Sequence, residues 1–110
     1  CALPICIAAG QTVYVSGQLP IDPSTGALPE GIAAQTAQSL KNIQAILAEQ
    51  GMTLADVVKT TVFLADMNDF AEMNKVYGEY FAQPFPARSA VQVAKLPKGA
   101  PLEIECIAVK

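Results

Sequence analysis

The hydrophobic period of this chain switches between two residues and about 3.6 residues four times along its length, and that alternation restricts the fold more than any other feature. Thr12–Gln18 (TVYVSGQ), Val57–Leu64 (VVKTTVFL) and Leu102–Val109 (LEIECIAV) read as strands, as do residues 5–9 and 88–94. The β-branched run of Val57–Leu64 suits an interior strand. Residues 32–50 repeat with the spacing of a helix, with Ala33, Ala37, Leu40, Ile43/Gln44 and Leu47 on one stripe and Gly51 as its stop. A second helix is predicted from Asp69, capped by Asp69 and Glu72, with Phe70, Met73, Val76/Tyr77 and Tyr80 on its apolar face and Asn74 beside that face. Pro84 and Pro86 end it, residues 20–31 form a loop, and PKGAP turns the chain between the last two strands.

Strand, strand, helix, strand, helix, strand, strand is the order of an α+β two-layer sandwich, with two helices on a mixed sheet. At 110 residues the chain is the length of one domain, spanning 1–110. Only 15% of its residues are charged and 52% are apolar, against about 25% charged in a typical domain. That deficit excludes a disordered, solvated chain and predicts that the open face of the sheet is covered by copies of the same chain. The net charge of −3, with seven Lys and Arg, argues against nucleic-acid binding. The first charge is Asp22, but prolines, glycines and polar residues break the stretch before it, so no membrane span is expected. The first residue is Cys1 rather than Met, which suggests that residues precede it.

With no His, a Ser-His-Asp or Cys-His catalyst is excluded. Cys1, Cys6 and Cys106 lack metal-site spacing, so no metal centre is expected, and their small odd number suggests reduced thiols in a cytoplasmic setting. Arg88 is the only arginine and the only charge between Tyr80 and Ala94. Strand geometry puts it on one face with Ala90, Gln92 and Ala94, where small neighbours leave room for a ligand. Its planar fork suits a carboxylate, and two readings are open: a ligand site, or a partner for an acid such as Glu103. Glu103 and Glu105 share a strand face, with side chains roughly 7 Å apart. They could work with Arg88 as a general acid/base, or form an ordinary solvated strand face. Ser16-Gly17-Gln18 ends a strand where glycine permits either close approach of a ligand or a bulge.

VYVSGQLPIDPSTG, VVKTTVFLADMNDFAEMNKVY, FPARSAVQVAKLPKGA and EIECIAV together resemble the reactive intermediate deaminase, or YjgF-like, family over residues 12–110. The resemblance implies a chorismate-mutase-like fold that forms a homotrimeric barrel, with helices outside and clefts between subunits. It implies hydrolysis of enamine and imine products of amino-acid dehydratases, 2-aminoacrylate and 2-iminobutanoate among them, without metal or cofactor. By position, Arg88 matches the carboxylate-binding arginine, Glu103 the acid that activates water, and Ser16, Gly17 and Asn74 pocket residues. Ala90 stands where the family often has cysteine, and Leu3 where it has a cleft tyrosine. A non-catalytic trimer that binds small carboxylates is the alternative function, and ribonuclease activity is disfavoured by the acidic balance.

Overall fold

The computed structural model describes residues 5–110, so Cys1 and Leu3 lie outside the described residues. Its elements are β1 (Cys6–Ala9), β2 (Thr12–Gln18), α1 (Ile32–Glu49), β3 (Val57–Leu64), α2 (Phe70–Tyr80), β4 (Ala87–Gln92) and β5 (Leu102–Val109). The strands form one mixed sheet in the order β1-β2-β5-β3-β4, in which only the β3–β4 pair is parallel. Both helices pack on one face of it. Val13, Val15, Val62, Leu64, Ile104 and Cys106 meet Leu40, Ile43, Leu47, Met73 and Tyr77 there in a continuous buried core. The two-layer α+β architecture expected from the alternating periods is therefore present. No helix among the described residues is long and apolar enough to cross a membrane.

Where the structure departs from the sequence reading, local chemistry explains why. The buried face of α1 is not the alanine stripe: Ala33 and Ala37 are only half-buried, Gln44 is exposed, and Thr36 and Ser39 are fully buried. Thr36 donates its hydroxyl proton to Ile32 O at 2.7 Å and Ser39 to Gln18 O at 3.1 Å, so neither carries an unsatisfied group into the core. Gln50 forms the C-cap of α1 and Gly51 follows at φ 71, as a helix stop requires. Asp69 makes no side-chain cap bond; the carboxylate that caps the approach to α2 is Asp66, which accepts from Asn68 N at 2.9 Å. The 3-10 turn Met67–Asp69 between them moves the cap three residues upstream. A reciprocal capping box forms instead at Thr53 and Asp56, where Thr53 N donates to Asp56 Oδ2 at 3.0 Å. β4 ends at Gln92 rather than at residue 94, and the turn into β5 contains a short 3-10 segment, Pro97–Gly99.

The expectation of three reduced thiols is corrected at Cys6, which is buried and disulfide-bonded. An odd count does not exclude one bridge, because it leaves one thiol over. Cys106 is the free one among the described residues; burial, and then the nearby Glu105, push its thiol up to about 12.

Candidate functional site

Arg88 leans on α2. On β4 it lies beside Thr60 of β3, and Thr60 faces the helices. The Thr60 and Tyr77 hydroxyls share a buried hydrogen bond of 2.6 Å, which fixes the Tyr77 ring next to the strand. The Arg88 guanidinium sits over that ring at 4.7 Å and over the Phe70 ring at 5.3 Å. Its Nη1 donates to Asn74 Oδ1. Phe70, Asn74 and Tyr77 follow one another at the i, i+4, i+7 spacing of a single helix face, so α2 presents two aromatic rings and an amide to one cation. Burial raises the Tyr77 hydroxyl above the usual tyrosine range, with the Thr60 bond and the Arg88 charge acting against it.

No carboxylate among the described residues pairs with Arg88, whose one side-chain hydrogen bond goes to Asn74. A guanidinium has five N–H donors, so most of the fork remains available. It borders a cleft of about 400 Å³ lined by Asn74, Tyr77, Gly78, Phe85, Pro86 and Arg88. Ala90, two residues along β4, packs against the core and does not line this cleft.

Glu103 belongs to the other side of the sheet. Its neighbours Leu102 and Ile104 are fully buried beneath the helices, and it pairs with Phe63, whose neighbours Val62 and Leu64 are likewise buried. The register of β2 slips between Val15, which pairs with Cys106, and Gln18, which pairs with Ile104. Ser16 and Gly17 therefore oppose the single residue Glu105 in a β-bulge. Gly17 also lies close against Glu103: a Cβ at this position would stand 2.4 Å from Glu103 Cδ, so that side chain would have to shift. The bulge reading of this glycine is thus present in the structure, and what lies against its backbone is the chain's own Glu103 carboxyl. Ser16 Oγ donates to Ile5 O at 3.1 Å. Burial first, and then repulsion from Glu105, hold the Glu103 carboxyl above the ordinary glutamate range.

The sequence-derived residues thus form two groups. Arg88 and Asn74 meet on the helix side; Ser16, Gly17 and Glu103 meet on the open side. Within one chain Arg88 and Glu103 do not share a site, because odd register places them on opposite faces of the sheet. The same geometry rules out Glu103 as an ion-pair partner of Arg88 within the chain. A slightly larger cleft, about 430 Å³, lies on the open face among Ile7, Tyr14, Ser16, Lys59, Glu105 and Ile107. It contains neither Arg88 nor Glu103, and Lys59 there is already engaged with Ser89 Oγ at 3.2 Å and Thr60 O at 3.0 Å. The Arg88 cleft is the better candidate because its cation has donors to spare. Phe70 and Tyr77 were read from sequence as core residues alone; Asn74 between them at helical spacing was the signal for their second role. No cluster of His, Cys, Asp and Glu suited to a metal ion occurs among the described residues.

Comparison with known proteins adds four findings. A family model described as "Endoribonuclease L-PSP" matches residues 4–110. A RutC family protein of Pyrococcus horikoshii is 55% identical over 105 residues, 94% of this chain and 83% of that protein. A Salmonella typhimurium protein named 2-iminobutanoate/2-iminopropanoate deaminase is 51% identical over 104 residues, 92% of this chain and 81% of its own. Among solved structures, that of RidA from the Antarctic bacterium Psychrobacter sp. PAMC 21119 superposes with a TM-score of 0.94 at 49% identity, covering 96% of this chain and 86% of that one.

Proposed function

The chain belongs to the reactive intermediate deaminase, or YjgF-like, family, whose model carries the description endoribonuclease L-PSP, and from that membership we propose that it hydrolyses reactive enamine and imine acids such as 2-aminoacrylate and 2-iminobutanoate to 2-oxo acids and ammonia. The observation that carries this reading is the Arg88 guanidinium, held by α2, free of any carboxylate among the described residues, and bordering a cleft. It is suited to grip the substrate carboxylate in a bidentate pair. The enamine tautomerises to the imine, whose C2 is electrophilic. Glu103 takes a proton from water as the water oxygen bonds to C2. Glu103 returns that proton to the nitrogen, which has received the C=N π pair, giving the tetrahedral aminol; a second proton then passes from the aminol hydroxyl through Glu103 to the nitrogen as the carbonyl closes, and the C–N bond breaks to release ammonia. A carboxyl held above its usual range by burial is better matched to such proton traffic near neutrality. The chemistry is proton transfer and positioning, for which these side chains suffice without a cofactor.

In the same proposal the functional unit is a homotrimer, and each site joins the Arg88 side of one subunit, with Asn74 and Ala90 nearby, to the Glu103 side of a neighbour, where Ser16 and Gly17 support the carboxyl. The opposite-face arrangement supports this, since one chain cannot present both groups to one substrate. The proposed compartment is the cytoplasm, where dehydratases release such products. A second reading, capture of small carboxylates without hydrolysis, is favoured by the same separation if a chain works alone. The word endoribonuclease describes the family model; seven Lys and Arg against ten Asp and Glu give this chain little attraction for a phosphate backbone. Ammonia release from freshly generated 2-iminobutanoate tests the proposal. Acceleration that disappears in Arg88→Ala is expected. Binding of 2-oxo acids without acceleration would leave the second reading.

A further inference from the structure

Gly78 stands in the last turn of α2, yet nothing around it calls for a glycine. Its backbone is outside the left-handed region, and a Cβ built there would meet no atom within 4 Å. A helical glycine is less favourable than alanine, so local structure gives no reason for it. The cleft does. Gly78 lies one turn beyond Asn74 and lines the Arg88 cleft together with Phe85 and Pro86. Phe85 is 55% exposed and forms an aromatic wall of the cleft.

A carboxylate held on Arg88 beside Asn74 fixes one end of a small ligand. What extends from it along the cleft meets an aromatic ring, a proline and the bare helix surface over Gly78. We propose that Gly78 is a specificity-determining residue of this site: the room above its Cα, with Phe85 and Pro86, admits the apolar side chain of 2-imino acids larger than 2-iminobutanoate, branched aliphatic or aromatic. The inference rests on the deaminase reading for the identity of the substrate, but the space itself belongs to any carboxylate that Arg88 holds.

The test compares wild type, Gly78→Ala and Gly78→Leu. Turnover is followed on 2-iminobutanoate and on the imine formed from leucine; binding is followed calorimetrically with 2-oxobutanoate and 4-methyl-2-oxopentanoate. Gly78→Leu is expected to lower kcat/KM and affinity for the longer ligands about tenfold or more beyond whatever it costs the shorter ones, the scale on which added methylenes discriminate in a filled pocket. Gly78→Ala falls between and melts no lower than wild type. Equal losses for both sizes, no loss for either, or a loss that follows a change in oligomer mass would overturn the proposal. If Gly78→Leu does not fold, Gly78→Ala and Gly78→Ser decide by the same size ratio. If wild type binds both oxo acids but hydrolyses neither imine, the deaminase reading fails while the binding ratio still decides the role of Gly78.

Discussion

Arg88 owes its suitability to what it lacks: it rests on Phe70 and Tyr77 without a counter-charge among the described residues, so its fork stays available for an incoming anion. Removing it in Arg88→Ala should reduce kcat/KM for 2-iminobutanoate roughly 10- to 100-fold, the equivalent of a charge-assisted bond of about 1.5–3 kcal/mol. Arg88→Lys should recover little of this, since an ammonium cannot reproduce the planar fork. Circular dichroism checks that both variants fold. In the proposed mechanism the Glu103 carboxyl, raised by burial and by Glu105, should set the acid side of the pH–rate profile, because a base must be deprotonated to act. Glu105→Gln removes the repulsion, lowers the Glu103 pKa and should shift that limb to lower pH. For stability the sign is opposite to that of an ion-paired carboxylate. The folded protein holds this proton more tightly than the unfolded chain does, so the contribution of Glu103 is fully present below the ordinary glutamate pKa and is lost as pH rises through the raised one. Gly17→Ala drives a Cβ into the far end of the Glu103 side chain, which can move. Unfolding should therefore change by no more than about 1 kcal/mol, while kcat falls toward that of Glu103→Gln.

At the scale of the element, β-rich composition, turn signals and alternation together located three strands to the residue: Thr12–Gln18, Val57–Leu64 and Leu102–Val109. Each buries one face only, and such a pattern is written in every second residue. Helix faces were less legible. Thr36 and Ser39 are polar by composition but buried, because each hydroxyl finds a backbone carbonyl. A period built on apolar residues rotates away from such a face. The cap of α2 was misplaced for a related reason: both Asp66 and Asp69 suit a helix start, and only the 3-10 turn between them decides which is used. Urea unfolding can compare the two. Asp66→Ala should cost about 0.5–2 kcal/mol as a lost cap, and Asp69→Ala markedly less.

For the whole molecule, the open face of the sheet carries Ile7, Tyr14 and Val91 at 63%, 50% and 45% exposure, the apolar surface that the low charge anticipated. In the proposed trimer this surface is covered, so Ile7→Glu or Val91→Lys should lower the mass seen by light scattering and remove activity with it. The sequence could show that Arg88 and Glu103 are unusual, but not that they look away from each other. That depends on strand order, on the parallel pairing of β4 with β3 and on the register of β5, all of them long-range facts without a local signature. In the proposed trimer a lone chain lacks one half of the site, and mixed oligomers test this most directly. Arg88→Ala and Glu103→Gln, each strongly impaired alone, are unfolded together, refolded and assayed for ammonia release from 2-iminobutanoate. Sites that join an intact Arg88 of one subunit to an intact Glu103 of another should restore up to about a quarter of wild-type activity on random mixing. A mixture that forms oligomers yet stays as inactive as its parents would contradict the account.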